Sequence, residues 1–271
     1  MSDITFVIVG ASNLTLSLPG VLRSLINMAK GKKLTAFIAH GPGRSYGEVG
    51  GLPGWRWPGH VQTELFTALD DHLQKQNPGP VHALFTDVGN DIPYGAEVST
   101  ISSWVERLIS EMRARNAKVG ITSLPVESVL KLPAWKFRLV LKLLFPGRSI
   151  TRDQVFTRIH EVQREIESIA RRQDALLLPS RPSWYGRDHF HLRSSARDPV
   201  FHSWINCVRE ICTQEECNGH SWDNLPPAPR APWIVPWIRL KRCAEEYRFG
   251  RKLTSPQSGK EVAPGVKLFL Y

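Results

Sequence analysis

Cysteine is scarce in this chain. The four residues, Cys207, Cys212, Cys217 and Cys243, all lie late in the sequence. They do not form a framework of paired bridges. No Cys-x-x-Cys knuckle joins them, so Cys212, Cys217, His220 and Cys243 make a poor zinc set, and buried thiols are expected. The sequence calls for no metal and no cofactor. No run of about 18 apolar residues is present, which argues against a membrane span. No basic stretch followed by a separate apolar run precedes the strand pattern beginning at Ile4. The expectation is therefore no secretory leader and a cytoplasmic location. Internal repeats and low-complexity tracts are also missing. The apolar share of 42% is enough for a packed core and excludes a disordered chain.

Acidic residues are absent from one long stretch. Residues 131–152 carry Lys131, Lys136, Arg138, Lys142, Arg148 and Arg152 and no Asp or Glu. Residues 228–252 hold seven basic residues against Glu245 and Glu246. These two segments account for the whole net charge of +10. Such local patches suit an anionic surface or substrate better than a general nucleic-acid coat. No nucleic-acid motif is present, and no stacking platform is interleaved with the charge, so a nucleic-acid partner is not expected. Peripheral contact with an anionic membrane remains open. The oligomeric state is not legible.

Five strands are predicted at Ile4–Val9, Leu34–His40, Val81–Thr86, Lys118–Leu124 and Ala175–Pro179. Helical patterns alternate with them. Leu18, Val21, Leu22, Leu25 and Ile26 share one face, as do Val98, Ile101, Val105, Leu108 and Met112. Thr151 and Gln154 form a capping box that opens a further helix. This alternation predicts an α/β fold with helices on both faces of a parallel sheet. Residues 1–217 read as one domain. Within it, residues 126–150 fit the alternation poorly. Trp135, Phe137, Leu139, Leu141, Leu143 and Phe145 alternate with Lys136, Arg138 and Lys142 like a strand, yet the composition suits an amphipathic helix. That insertion reads as a lid, a membrane-surface element or a cover over a sheet edge. Residues 218–271 are rich in Pro and Trp and read as an extended wrap on the domain. Trp222, Trp233 and Trp237 are its expected pins, and a short helix is an option around Ile238–Phe249.

The residues with chemical potential fall at the predicted strand ends. Ser12 follows the first strand, Gly41–Gly47 the second and Asp87–Asp91 the third, while Asp188 and His191 follow the fifth. In an open α/β sheet these loops meet at the carboxyl rim, where ligands bind. Ser, His and Asp form the constellation of nucleophilic acyl transfer in any chain order.

The blocks Gly10-Ala11-Ser12, Gly41-Pro42-Gly43-Arg44-Ser45, Val88-Gly89-Asn90-Asp91 and Asp188-His189-Phe190-His191-Leu192 resemble, in order and spacing, the four signature blocks of the SGNH (GDSL-like) hydrolase superfamily. The resemblance covers residues 4–212. It implies a three-layer α/β/α fold with a flavodoxin-like five-stranded parallel sheet and a metal-free serine esterase. By that resemblance Ser12 is the nucleophile, His191 the general base and Asp188 its orienter. The Ser12 amide, the Gly43 amide and the Asn90 side chain form the oxyanion hole, with Gly47 as the alternative glycine. Two positions depart from the family: Ala11 stands where it usually has Asp, and Val88 where it usually has Gly. They mark a divergent branch.

Structural readings stand beside these. Ser12 is also a natural helix cap, Asn90 a natural Asx-turn residue, and Asp188 with His191 a plain surface pair. Arg44, Tyr46, Trp55, Trp57 and Trp184 are candidate substrate walls, with packing beneath the loop as the alternative for the tryptophans. Small-molecule, lipid or sugar esters are the expected substrates. Two rivals remain: an O-acyltransferase using the same site, and a noncatalytic protein that binds a membrane surface or an anionic partner on a degraded hydrolase scaffold.

Overall fold

The first strand sits at the centre of the sheet because its sequence is apolar on both faces. Phe6, Val7 and Ile8 of β1 (Asp3–Val9) are fully buried, each contributing about 1.5–3 kcal/mol of transfer free energy. The computed structural model describes residues 3–75, 78–145, 147–210, 213–229, 243–255, 257 and 259–271. After β1 come α1 (Ser12–Ala29), β2 (Leu34–Ala39), the hairpin β3 (Gly50–Leu52) and β4 (Trp55–Trp57), then α2 (Leu65–Lys75) and β5 (Pro78–Phe85). The middle of the chain forms α3 (Val98–Arg113), β6 (Lys118–Thr122), α4 (Val126–Val129), α5 (Ala134–Leu144) and α6 (Arg152–Arg172). It continues through β7 (Leu176–Leu178), α7 (Ser194–Glu210) and α8 (Gln214–Gly219). The last described elements are β8 (Glu245–Arg248), β9 (Arg251–Thr254), β10 (Lys260–Ala263) and β11 (Val266–Leu270).

The five predicted strands are all present and all parallel, in the order β2-β1-β5-β6-β7. This is the doubly wound order of a three-layer α/β/α fold. One apolar core, including residues of α2, α3 and α6, lies on one face, and a second, including residues of α1 and α7, lies on the other. The Thr151–Gln154 capping box opens α6 with both reciprocal bonds made.

The sheet is wider than the expected five strands. β11 adds in parallel to β2, and β10 pairs antiparallel with β11. From Glu245 onward the C-terminal segment is thus built largely as strands where an extended wrap was expected. β8 and β9 also complete a second, antiparallel sheet in the order β3-β4-β8-β9. The helix expected over Ile238–Phe249 is replaced by β8 in its described part, where pairing with β4 overrides local propensity. Its first residues, like Trp233 and Trp237, lie outside the described residues. Trp222 is buried against Trp184. Residues 126–150 form the helices α4 and α5, which settles the strand-or-helix ambiguity. The loop at 50–59 is the β3–β4 hairpin. Among the described residues no helix is long and apolar enough to cross a membrane. Cys207, Cys217 and Cys243 are buried thiols, and Cys212 lies outside the described residues.

Candidate active site

Ser12 is the first residue of α1, immediately beyond the central strand. A helix start needs acceptors for its free amides, and here they come from another loop. Asp87, at the end of β5, has a left-handed backbone with φ +63°. Its carboxylate accepts from the Ala11 amide at 2.7 Å, the Leu14 amide at 3.3 Å and Asn13 Nδ2 at 2.8 Å. A carboxylate at a helix N-terminus also complements the macrodipole. The cap position is held by Ala11, which has no side-chain oxygen. Ser12 therefore does not cap the helix, and its hydroxyl has no hydrogen-bond partner among the described residues. It faces a cavity.

His191 reaches the same cavity from the loop between β7 and α7. Its Nδ1 donates to Asp188 Oδ2 at 2.9 Å, and its backbone amide donates to Asp188 Oδ1 at 3.0 Å. This leaves Nε2 as the ring nitrogen available to a substrate or to Ser12. Burial pushes the Asp188 carboxyl up, but the hydrogen bonds from His191 outweigh it and hold the group below its usual range. Ser12 and His191 line one cavity without hydrogen-bonding to each other.

Asn13 ties the two halves together. Its buried amide donates to Asp87 and to the Phe190 carbonyl at 3.0 Å, and its Oδ1 accepts from the Leu192 amide at 2.8 Å. The residues on both sides of His191 are thus fastened to the residue after Ser12. Asn13 and Asp87 are site residues that no motif in the sequence singles out. Their only sequence signal is adjacency to predicted site residues.

Gly43 and Asn90 also line the cavity. Gly43 adopts φ +70°, which favours glycine. Tyr94 fixes its peptide: the hydroxyl donates to the Gly43 carbonyl at 2.6 Å and accepts from the Gly51 amide at 2.8 Å. Among the described residues the Ser12 and Gly43 amides have no acceptor. Asn90 Nδ2 makes only a long contact, 3.5 Å, with the Arg44 carbonyl, and no Asx-turn forms. The second and third blocks are locked together by Asp91, whose carboxylate accepts from the Ser45 hydroxyl and from the Tyr46 amide at 2.9 Å. Burial raises the Asp91 pKa to about 6.

Beyond this polar end the cavity, about 220 Å³, is apolar. Val129, Phe137, Val140, Leu144, Val155 and Ile159 form much of its wall. Three of them come from α5, so the inserted segment roofs the site.

None of the five expected wall residues lines this cavity. Arg44 is fully buried, and its guanidinium donates to the carbonyls of Pro58, His40 and Tyr271. Tyr46 is buried with its hydroxyl on the Thr86 carbonyl. Trp57 and Trp184 are core residues, and Trp55 hydrogen-bonds Glu246 and stacks under the Arg248 guanidinium. Gly51 and Leu52 of the hairpin meet the cavity in place of its tryptophans. Gly47 packs against Trp104, with no room for a Cβ, so Gly43 is the cavity glycine. Ala11 and Val88, the departures from the family pattern, are buried.

No family model matches the chain, and no curated protein does. Among solved structures, the chain is similar to the psychrotrophic esterase EstA from Pseudoalteromonas sp. at 14% identity, covering 76% of this chain and 96% of that one, with a TM-score of 0.45. It is similar to TesA at 16% identity, covering 76% and 98%, with a TM-score of 0.46. It is also similar to the acetyl xylan esterase AlAXEase at 13% identity, covering 74% and 98%, with a TM-score of 0.42.

Proposed function

We propose that the protein is a serine esterase that cleaves a carboxylic ester through an acyl-enzyme on Ser12. One observation carries this reading. An unengaged serine hydroxyl, two unengaged amides and an Asp-oriented imidazole all face one cavity whose remainder is apolar. Purely structural roles for these groups would not leave them unpaired at one place.

In this mechanism Ser12 Oγ attacks the ester carbonyl while His191 Nε2 takes its proton. Asp188 holds the tautomer with Nδ1 protonated and stabilises the imidazolium. The oxyanion is met by the Ser12 and Gly43 amides and by Asn90 Nδ2, which gives up its long contact with Arg44. His191 returns the proton to the departing alcohol, and water then hydrolyses the acyl-enzyme by the same route. The Ser12–His191 hydrogen bond closes with substrate, as catalytic bonds commonly tighten in the complex. The apolar wall takes the acyl chain, which favours lipid-like esters with an extended acyl chain over acylated sugars gripped by tryptophan.

The test is labelling with a fluorophosphonate probe, alongside hydrolysis of p-nitrophenyl esters. Wild type labels and hydrolyses, while Ser12→Ala and His191→Ala do neither above background. A folded wild type that neither labels nor hydrolyses any ester overturns the proposal and favours a binding role for the scaffold.

A further inference from the structure

Helix α5 has two apolar faces, and only one is used by the fold. Phe137, Val140 and Leu144 point into the cavity. On the opposite side Trp135, Leu139 and Leu143 recur every fourth residue and are 59%, 49% and 59% exposed. These are three of the chain's five large exposed apolar residues among those described. The other two lie nearby. Val49 lines a second cavity with Leu144 and Phe145, at the C-terminal end of α5. Phe249, 90% exposed, is hydrogen-bonded through its amide to Gly54 on the wall of that second cavity.

Phe249 is also placed against local preference. With Gly250 it forms the tip between β8 and β9, at φ +46° and +81°. Such two-residue turns favour Asn or Gly at the first position, because a side chain with φ > 0 is strained. The Phe249 ring touches only the Gly54 backbone with its edge and leaves 90% of the residue exposed, so it adds nothing to either core.

The charge along α5 and its flanking residues has one sign, although exposed Glu48 stands beside Val49. Lys131, Lys136, Arg138, Lys142, Arg148 and Arg152 belong to a stretch without any acid. Among the described residues none of the six has a carboxylate partner. Lys136 donates to the Arg187 carbonyl and Arg152 to the Leu132 carbonyl, while Arg148 lies over Tyr94. Arg138 and Lys142 flank the apolar stripe on the outer face. Bulky apolar side chains ringed by unneutralised cations on a surface helix are what an anionic bilayer interface accommodates.

We infer that the outer face of α5, with the tips bearing Val49 and Phe249, docks on an anionic phospholipid bilayer. Trp135, Leu139, Leu143 and Phe249 insert at the headgroup level, and Arg138 and Lys142 contact the lipid phosphates. The same helix then presents its inner face to the acyl cavity. Docking thus brings the helix that roofs the cavity to the surface from which a lipid ester would come. This last point rests on the proposed esterase; docking itself does not.

The test is co-sedimentation of the full chain with vesicles of phosphatidylglycerol and phosphatidylcholine mixtures, against phosphatidylcholine alone, at two salt concentrations. Wild type binds the anionic vesicles, binds them less at high salt, and does not bind the neutral ones. Arg138→Gln/Lys142→Gln weakens partitioning about 25-fold, since each basic residue near an anionic surface contributes roughly fivefold. Phe249→Asn, which suits the turn and so preserves folding, also weakens binding. Hydrolysis of a soluble short-chain ester stays unchanged in both variants. Absent vesicle binding overturns the inference. So does binding unaffected by either variant, or a stable dimer that dissociates when Trp135 and Leu139 are replaced by serine. If vesicle binding follows this pattern while no ester is cleaved, the esterase proposal alone fails.

Discussion

Replacing Asn13 by alanine isolates the joint that holds the site together. The Asn13 side chain is 8% exposed and makes three hydrogen bonds, to Asp87, to the Phe190 carbonyl and from the Leu192 amide. Each is worth about 1 kcal/mol net, and a buried group left unpaired costs about 1–3 kcal/mol more. Asn13→Ala should therefore destabilise the fold by roughly 4–6 kcal/mol, read from the urea midpoint. Its effect on catalysis has a separate origin. Phe190 and Leu192 flank His191, so their release lets the imidazole drift from Ser12. A displacement of about 1 Å in a reacting group costs on the order of 100-fold. On a p-nitrophenyl ester kcat should fall by about that factor, with KM little changed because the apolar wall is intact. Asn13→Asp should do no better. It keeps the acceptor for Leu192 but loses both donors and sets a second carboxylate beside Asp87. A variant that loses the stability but keeps wild-type kcat and fluorophosphonate labelling would show that Asn13 braces the fold without positioning His191. That result would refute the argument.

Asn90→Ala removes one oxyanion donor and should lower kcat by about 10²–10³ with little change in stability, since the side chain makes only one long contact. Val140→Trp fills the cavity beneath α5, so octanoyl and longer esters should slow at least about tenfold relative to acetyl esters, measured as a ratio of kcat/KM. Stability should fall on acidification. Burial, with a smaller contribution from Arg44, lowers His40 to about 4, and burial, with Lys118, lowers His82 to about 4. The unfolded imidazoles bind protons near pH 6.5 and the folded ones do not. The stability they provide is thus full above that pH and lost as pH drops to about 4, by about 3 kcal/mol each. Asp91, raised to about 6, opposes this by taking up a proton in the folded state between pH 6 and about 4. The urea midpoint should therefore decline from pH 6.5 to 4, and more steeply in Asp91→Asn; a midpoint that rises over that range contradicts the assignment.

The sequence alone determined the scaffold and the chemically capable positions. Short apolar runs such as Phe6–Val9 can be buried on both faces only inside a parallel sheet, so the five strands and their alternation with helices were legible. That the loops carrying Ser12, Gly43, Asn90 and His191 meet was legible because strand-end loops of such a sheet converge whatever the detailed packing, while Gly43 and Asn90 were singled out within them only by the family resemblance. Tertiary structure decided what surrounds them. Trp55 and Trp57 look like a substrate wall in a glycine-rich loop, yet their hairpin pairs with β8, nearly two hundred residues downstream, and its tryptophans turn to the core and to Glu246 and Arg248. Arg44 looks like an anion binder, yet it is fully buried and its Nε and Nη1 donate to carbonyls as distant as that of Tyr271. Asn13 and Asp87 carry no motif, because their partners are assembled only when three loops meet. Likewise the composition of residues 126–150 permitted strand or helix. Only packing over the cavity fixed the helix, turned one apolar face inward and left the other, with its cations, facing outward.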